Sequence, residues 1–225
     1  MFDRKIYFDA VRSSLFNGAL NQTQVDGQNI ILDRWELDAP SLDLRKLAYM
    51  LATTKHETAS TMWPIEEYGK GEGHSYGERD AETGQTYYGR GFVQLTWRDN
   101  YARATDKLEL RGDDDLEWHA DRALDPEIAT DVMFGGMGEG WFTGKKLGDY
   151  FSGTRDDPVG ARQIINPDDK GPLVAGYHAD FLAALKAATE APAPKPPAPG
   201  EIVVQVAITA PPGVRVNVRV EEAPS

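Results

Sequence analysis

The sequence predicts a mainly α-helical domain over residues 1–190, a proline-rich linker at 191–200 and a short β-hairpin tail at 201–225. Three observations carry this reading. In the body, apolar residues recur at i, i+3, i+4 and i+7, the period of a helix with one buried face. Five prolines fall within residues 191–199, APAPKPPAP. Beyond them apolar and polar residues alternate one by one, the period of a half-buried strand.

The elements follow in chain order. Leu44, Leu47, Ala48 and Leu51 mark one helix, with Ser41 after Pro40 as its expected N-cap. Between Tyr68 and Gln85 the chain is rich in glycine and charge and has no period. Long irregular loops in compact domains are often functional. Asp125-Pro126 has the form of an N-cap followed by a first-turn proline, opening a helix with Ile128, Ala129, Val132 and Met133 inward. Gly135, Gly136, Gly138 and Gly140 either allow close packing on that helix or end it. Val174, Tyr177, His178, Phe181 and Leu185 mark a further long helix. The linker favours extended polyproline II and acts as a spacer. In the tail, Ile202, Val204, Val206 and Ile208 form one row, and Val214, Val216, Val218 and Val220 another, around Pro211-Pro212-Gly213. An isolated hairpin is marginal in water, so this one is expected to contact another copy or the cell surface.

Composition excludes several functions. The chain has 225 residues and no cysteine, which removes disulfide scaffolds, thiolate metal sites and cysteine nucleophiles. Its net charge is -12, and the linker and tail together carry as many acidic as basic residues, so the acidity lies in the body. Nucleic-acid binding is not expected from such a chain. No apolar run reaches the roughly 18 residues of a membrane span, so stable membrane insertion is not expected. The N-terminus has no secretory pattern, which gives the expectation of cytoplasmic synthesis without a signal peptide. His56-Glu57 begins like a zinc-protease motif, but position 60 is Ser and not His. Asp113-Asp114-Asp115 lacks the alternation of a calcium loop. No metal and no nucleotide cofactor is implied.

The chemistry concentrates between residues 47 and 101. A helix ends there by presenting Glu57, and Glu66, Glu67, Glu72 and Glu78 follow on irregular chain. Next come Tyr87, Tyr88, Gln94, Trp97, Asn100 and Tyr101. Carboxylates beside aromatic platforms and amides suit a sugar cleft, where one carboxyl protonates the glycosidic oxygen and another activates water or stabilises the oxocarbenium ion. A helix C-terminus disfavours a negative charge, which suits Glu57 as the proton donor.

The same stretch resembles glycoside hydrolase family 19, and within it the phage and prophage endolysins. The likeness rests on His56-Glu57-Thr58 and on Tyr88-Gly89-Arg90-Gly91-Phe92-Val93-Gln94-Leu95-Thr96-Trp97 with Asn100-Tyr101. Gly140–Leu147 and the run Ala161-Arg162-Gln163-Ile164-Ile165-Asn166 add weaker support. The resemblance implies a lysozyme-like domain of two helical lobes around a cleft, with a small β element near the glycine-rich loop. It implies Glu57 as general acid, with Gln94, Thr96, Asn100 and Asn166 in the cleft; His56, Tyr88 and Trp97 complete the expected substrate-binding set. Endolysin-like members place the second carboxylate where Glu66 or Glu67 stands, and chitinase-like members where Glu78 stands. The Pro-Ile-x-Glu-Tyr-Gly setting favours Glu67. Ala59 and Pro167-Asp168 depart from the plant-type pattern, which weakens chitin as the substrate relative to peptidoglycan.

The expected activity is hydrolysis, with inversion, of β-1,4 links between N-acetylated amino sugars of peptidoglycan. Holin-type release would bring such an enzyme from the cytoplasm to the wall. Its acidity gives it no long-range attraction to an anionic wall. The rival readings are a chitinase on the same scaffold, a lytic transglycosylase, and a non-catalytic wall-binding protein.

Overall fold

A computed structural model describes residues 1–38, 43–166 and 170–190. The linker and hairpin expected after residue 190 lie outside the described residues. In chain order the helices are α1 (Arg4–Leu15), α2 (Gln22–Asp38), α3 (Leu44–Glu57), α4 (Arg98–Lys107), α5 (Pro126–Glu139) and α6 (Gly171–Glu190). The strands are two-residue pairs: β1 (Ile65–Glu66) with β2 (Arg90–Gly91), and β3 (Phe151–Ser152) with β4 (Arg155–Asp156), both antiparallel. Single 3₁₀ turns fill much of the rest. The domain is mainly α, as the sequence predicts, and the first strand pair closes the expected glycine-rich loop. The second pair has no signal in the apolar pattern. No described helix is long and apolar enough to cross a membrane.

Helix α3 is the axis of the body. The sequence marks one apolar face on it, yet every residue from Leu47 to Lys55 is buried. A helix surrounded on all sides needs its polar groups satisfied. Thr54 Oγ1 donates to Met133 Sδ at 3.3 Å, whereas the buried Tyr49 hydroxyl and Thr53 Oγ1 find no hydrogen-bond partner among the described residues. The most extensive packing partner of α3 is α6, which also packs on α1. Along α6, Val174, His178, Phe181 and Leu185 are buried as expected. The N-cap of α3 is Asp43, whose carboxylate accepts from Arg45 N at 3.0 Å. Ser41, the expected cap, lies outside the described residues.

Helix α5 begins as the sequence predicts. The Asp125 carboxylate accepts from Glu127 N and Ile128 N, and Pro126 occupies the first turn. Its glycines serve both expected purposes. Gly140 ends the helix in the left-handed conformation with φ 86°, where a side chain would be strained. Gly136 leaves room for the ring of Phe142, which a Cβ there would meet at 2.0 Å.

Candidate active site

Glu57 is the last residue of α3, and the chain reverses immediately after it. Thr58 N donates to Thr54 O at 3.0 Å, closing the helix. Thr58 Oγ1 accepts from Met62 N at 3.1 Å, closing the turn. Ala59, Ser60 and Met62 all have positive φ, at 48°, 68° and 56°. Such a turn persists only when its surroundings over-determine it. Lys55 supplies part of that constraint. Its ammonium donates to Ser60 Oγ at 2.8 Å and lies 4.6 Å from the Phe16 ring centre and 4.9 Å from that of Tyr177. Burial lowers the pKa of this ammonium. From the other side Gln24 Nε2 donates to Ser60 O at 2.9 Å.

The Glu57 side chain is 14% exposed and opposes Arg162, whose Nη1 donates to Glu57 Oε1 at 2.6 Å. Arg162 is itself only 4% exposed and stands in the 3₁₀ turn Gly160–Ile164. A charge-assisted hydrogen bond from a buried guanidinium holds that carboxylate oxygen in one place. Glu57 is therefore a side chain anchored in protein, with one edge at the surface.

That edge opens into a cleft of about 410 Å³. Of the expected site residues, Glu57, Gln94, Thr96, Trp97, Asn100 and Asn166 line it together. A chain of short contacts fixes them. Gln94 has φ 54°, and its Nε2 donates to Ile65 O at 3.1 Å and Gly91 O at 3.3 Å, tying it to the first strand pair. Thr96 Oγ1 donates to Gln94 O at 2.8 Å, and Asn100 Nδ2 to Thr96 O at 2.9 Å. Trp97 has φ 75° and stands at the N-terminus of α4 with 51% of its surface exposed. Its ring meets Tyr76 edge-on at 5.0 Å and 79°. Strained backbone at two cleft residues is a common property of binding sites.

The remaining expected residues lie elsewhere. Tyr88, expected to bind substrate, is buried at 7% exposure and does not line the cleft. The Arg90 guanidinium covers its ring at 3.8 Å, and its hydroxyl donates to Glu66 Oε1 at 2.6 Å. Arg90 also donates to Thr86 O and to Tyr101 Oη, at 2.8 and 3.1 Å. The Tyr88–Gly91 run is thus a knot that holds the loop ends together. Glu66 belongs to that knot. Hydrogen bonds from Lys70 and then from Tyr88 hold its carboxyl below the usual range. His56 is half-buried on the last turn of α3 and does not line the cleft either.

Glu67 and Glu78 stand one step away from the cleft. Glu67 accepts from Tyr76 Oη at 3.4 Å and from Gly89 N at 3.2 Å. Tyr76 lines the cleft, and burial followed by the Glu67 charge raises its phenol pKa, keeping it a donor. Glu78 is exposed and lines an adjoining depression that shares Tyr76 and Trp97 with the cleft. Sequence reasoning missed Tyr76, Phe142, Thr143 and Arg162. Tyr76 lies in the aperiodic loop, which carries no positional signal. Phe142, Thr143 and Arg162 lie within the two weaker stretches of resemblance, which was the available signal.

Comparison with solved structures covers most of the chain. A bacterial family 19 chitinase superposes over 82% of this chain and 94% of its own, with TM-score 0.50 and 18% identity. Chitinase C from Streptomyces griseus superposes over 86% and 95%, with TM-score 0.50 and 19% identity. The fold is that of the family 19 chitinases. No family model and no curated protein matches the chain by sequence. Within the family 19 chitinase fold, Glu57 at the end of a buried helix and Gln94 to Asn100 around the start of α4 form opposite ends of one local construction. The strand pair β1–β2 joins them.

Proposed function

We propose that the chain is a glycoside hydrolase that cleaves β-1,4 links between N-acetylated amino sugars of peptidoglycan, acting on the wall after holin-type release. The observation that carries this is the cleft itself. One anchored carboxyl, Glu57, shares it with the amide side chains of Gln94, Asn100 and Asn166, the hydroxyls of Tyr76, Thr96 and Thr143, and the exposed indole of Trp97. Amides and hydroxyls match the acetamido and hydroxyl groups of such sugars, and an indole face matches the sugar ring.

In the reaction Glu57 protonates the leaving oxygen. The Thr96 hydroxyl and a second carboxylate hold and activate water on the opposite face of the sugar, which inverts the anomeric centre. We assign the second carboxylate to Glu67. It bonds Tyr76, a cleft residue, and Gly89, which packs against Gln94. Glu66 is committed to Tyr88 and Lys70. The second reading is a chitinase, favoured by the fact that the two solved structures described above are chitinases.

Purified peptidoglycan and chitin oligomers, digested side by side with mass spectrometry of the products, test the assignment. Free reducing ends from peptidoglycan support the proposal, and 1,6-anhydro ends identify a transglycosylase. Binding without release identifies a wall-binding protein. Glu57→Gln should fold normally and lose about 10²–10⁴-fold in turnover. Glu67→Gln should be far more damaging than Glu66→Gln or Glu78→Gln; a dead Glu78→Gln alone would transfer the water-activating role to Glu78 and favour chitin.

A further inference from the structure

Beside the cleft lies a second depression of about 330 Å³, and the two share Tyr76 and Trp97. Their linings differ in kind. Among the described residues, every side chain lining the cleft except Glu57 is uncharged. The depression is lined by two carboxylates, Glu78 and Asp80, and two guanidiniums, Arg79 and Arg98. Neutral amino sugars give such a cluster nothing to pair with.

Half of these charges are committed to structure. Arg98 lies 3.2 Å from Asp80, 2.7 Å from Glu82 and 2.7 Å from Glu117. Asp80 Oδ1 also accepts from the backbone of Glu82 and Thr83, at 3.0 and 2.9 Å. Those contacts make a fixed floor. Glu78 and Arg79 stand above it on consecutive residues. The Nε of Arg79 donates to Gly84 O at 2.8 Å. Among the described residues, its other guanidinium nitrogens and the Glu78 carboxylate have no hydrogen bond or ion pair. An uncommitted guanidinium binds a carboxylate in forked fashion, and an uncommitted carboxylate binds an amine.

We propose that this depression binds the stem peptide of peptidoglycan, an oligopeptide that bears both carboxylates and an amine. The proposal rests on the hydrolase reading above and names the substrate feature that this site distinguishes. A sugar ring against Tyr76 and Trp97 would have its peptide substituent led over that aromatic pair to Arg79 and Glu78. Chitin carries no such substituent, so the depression would add affinity for peptidoglycan alone.

The test is binding to the full-length Glu57→Gln protein, whose turnover is expected to be at least about a hundredfold slower. Calorimetry is run with a disaccharide tetrapeptide from peptidoglycan and with a peptide-free form of the same disaccharide whose lactyl carboxyl is capped as the methylamide, so that it stays neutral. The peptide-bearing fragment should bind about tenfold more tightly, a difference of about 1.4 kcal/mol. Arg79→Ala and Glu78→Gln, each added to that background, should reduce this ratio toward one and leave the peptide-free fragment unaffected. Equal binding of the two fragments overturns the proposal, as does weakening of both fragments alike by either substitution. If the wild-type chain cleaves peptidoglycan while the two fragments bind equally, the peptide site falls and the hydrolase reading stands. If it cleaves nothing yet keeps the preference, the hydrolase reading falls and the peptide site stands.

Discussion

Glu57 and Trp97 line the same cleft, but the chain holds them by different means. Glu57 ends a helix whose residues from Leu47 to Lys55 are all buried, and its carboxylate meets an arginine that is 4% exposed. Trp97 starts a helix after a strained turn, is 51% exposed, and touches Tyr76 from a loop with little regular structure. The proposed proton donor is placed by burial, which tolerates little displacement. The Trp97 wall is placed by local hydrogen bonds and ring contacts, which tolerate more. Precision is needed where a proton moves, and adaptability is useful where a polymer of variable substitution must fit.

If this contrast is sound, substitutions behind Glu57 should damage stability and turnover together. Arg162→Leu should show the largest effect. It leaves a mostly buried carboxylate without its counter-charge, which costs roughly 3–5 kcal/mol, and turnover should drop at least about a hundredfold. Calorimetric melting with hydrolysis of soluble fragments reads both; wild-type melting and turnover in this variant would break the comparison.

Gly27→Ala should come next. A Cβ at this position on α2 would lie 1.6 Å from Met62 O, a backbone atom of the turn after Glu57. The helix or the turn must move, at a cost of roughly 3 kcal/mol. Urea unfolding should register it, with an activity loss larger than the fraction unfolded explains.

The opposite wall should respond in the opposite sense. Trp97→Ala removes a half-exposed ring, so stability should change by less than about 1 kcal/mol. KM should rise about tenfold with kcat nearly unchanged. Steady-state kinetics on a defined glycan fragment separates the two constants. A large drop in kcat would mean that Trp97 also positions the reacting bond.

The smallest effect concerns pH and the helical frame. His178 on α6 is 3% exposed, stacks on Phe151 at 5.2 Å and faces Arg45 O from Nε2 at 3.1 Å. Burial lowers its pKa, and the carbonyl contact opposes that only in part. The unfolded chain therefore binds a proton as pH falls below about 6.5, while the folded chain resists it. Stability should decline from neutral pH downward through that window. His178→Gln should flatten the decline, which melting temperatures between pH 7.5 and 5 would register.

Much of the fold was legible because its signals are local. The Asp125-Pro126 cap and the apolar rows of α5 and α6 depend on neighbours within a few residues. The strand pair Phe151–Ser152 with Arg155–Asp156 was not legible, since two residues are too few for a period. The site divided along the same line. Gln94, Thr96, Trp97 and Asn100 fall within a seven-residue stretch and reach the cleft together. Tyr88 has the same motif around it but is turned inward, because Arg90 and Glu66 need its ring and hydroxyl. Arg162 lies 105 residues from Glu57 in sequence, and no local pattern announces such a pairing.

The room that Gly136 leaves for Phe142 makes cleft width adjustable from a distance. Phe142 lines the cleft, while Gly136 lies inside α5 and does not. Its ring is the flexible end of a side chain, so one added methyl at position 136 would tilt it and leave the backbone in place. On the proposed function, relatives of this chain could thus drift toward narrower or wider glycans through a helix residue that does not line the cleft. A designer seeking altered selectivity has the same lever.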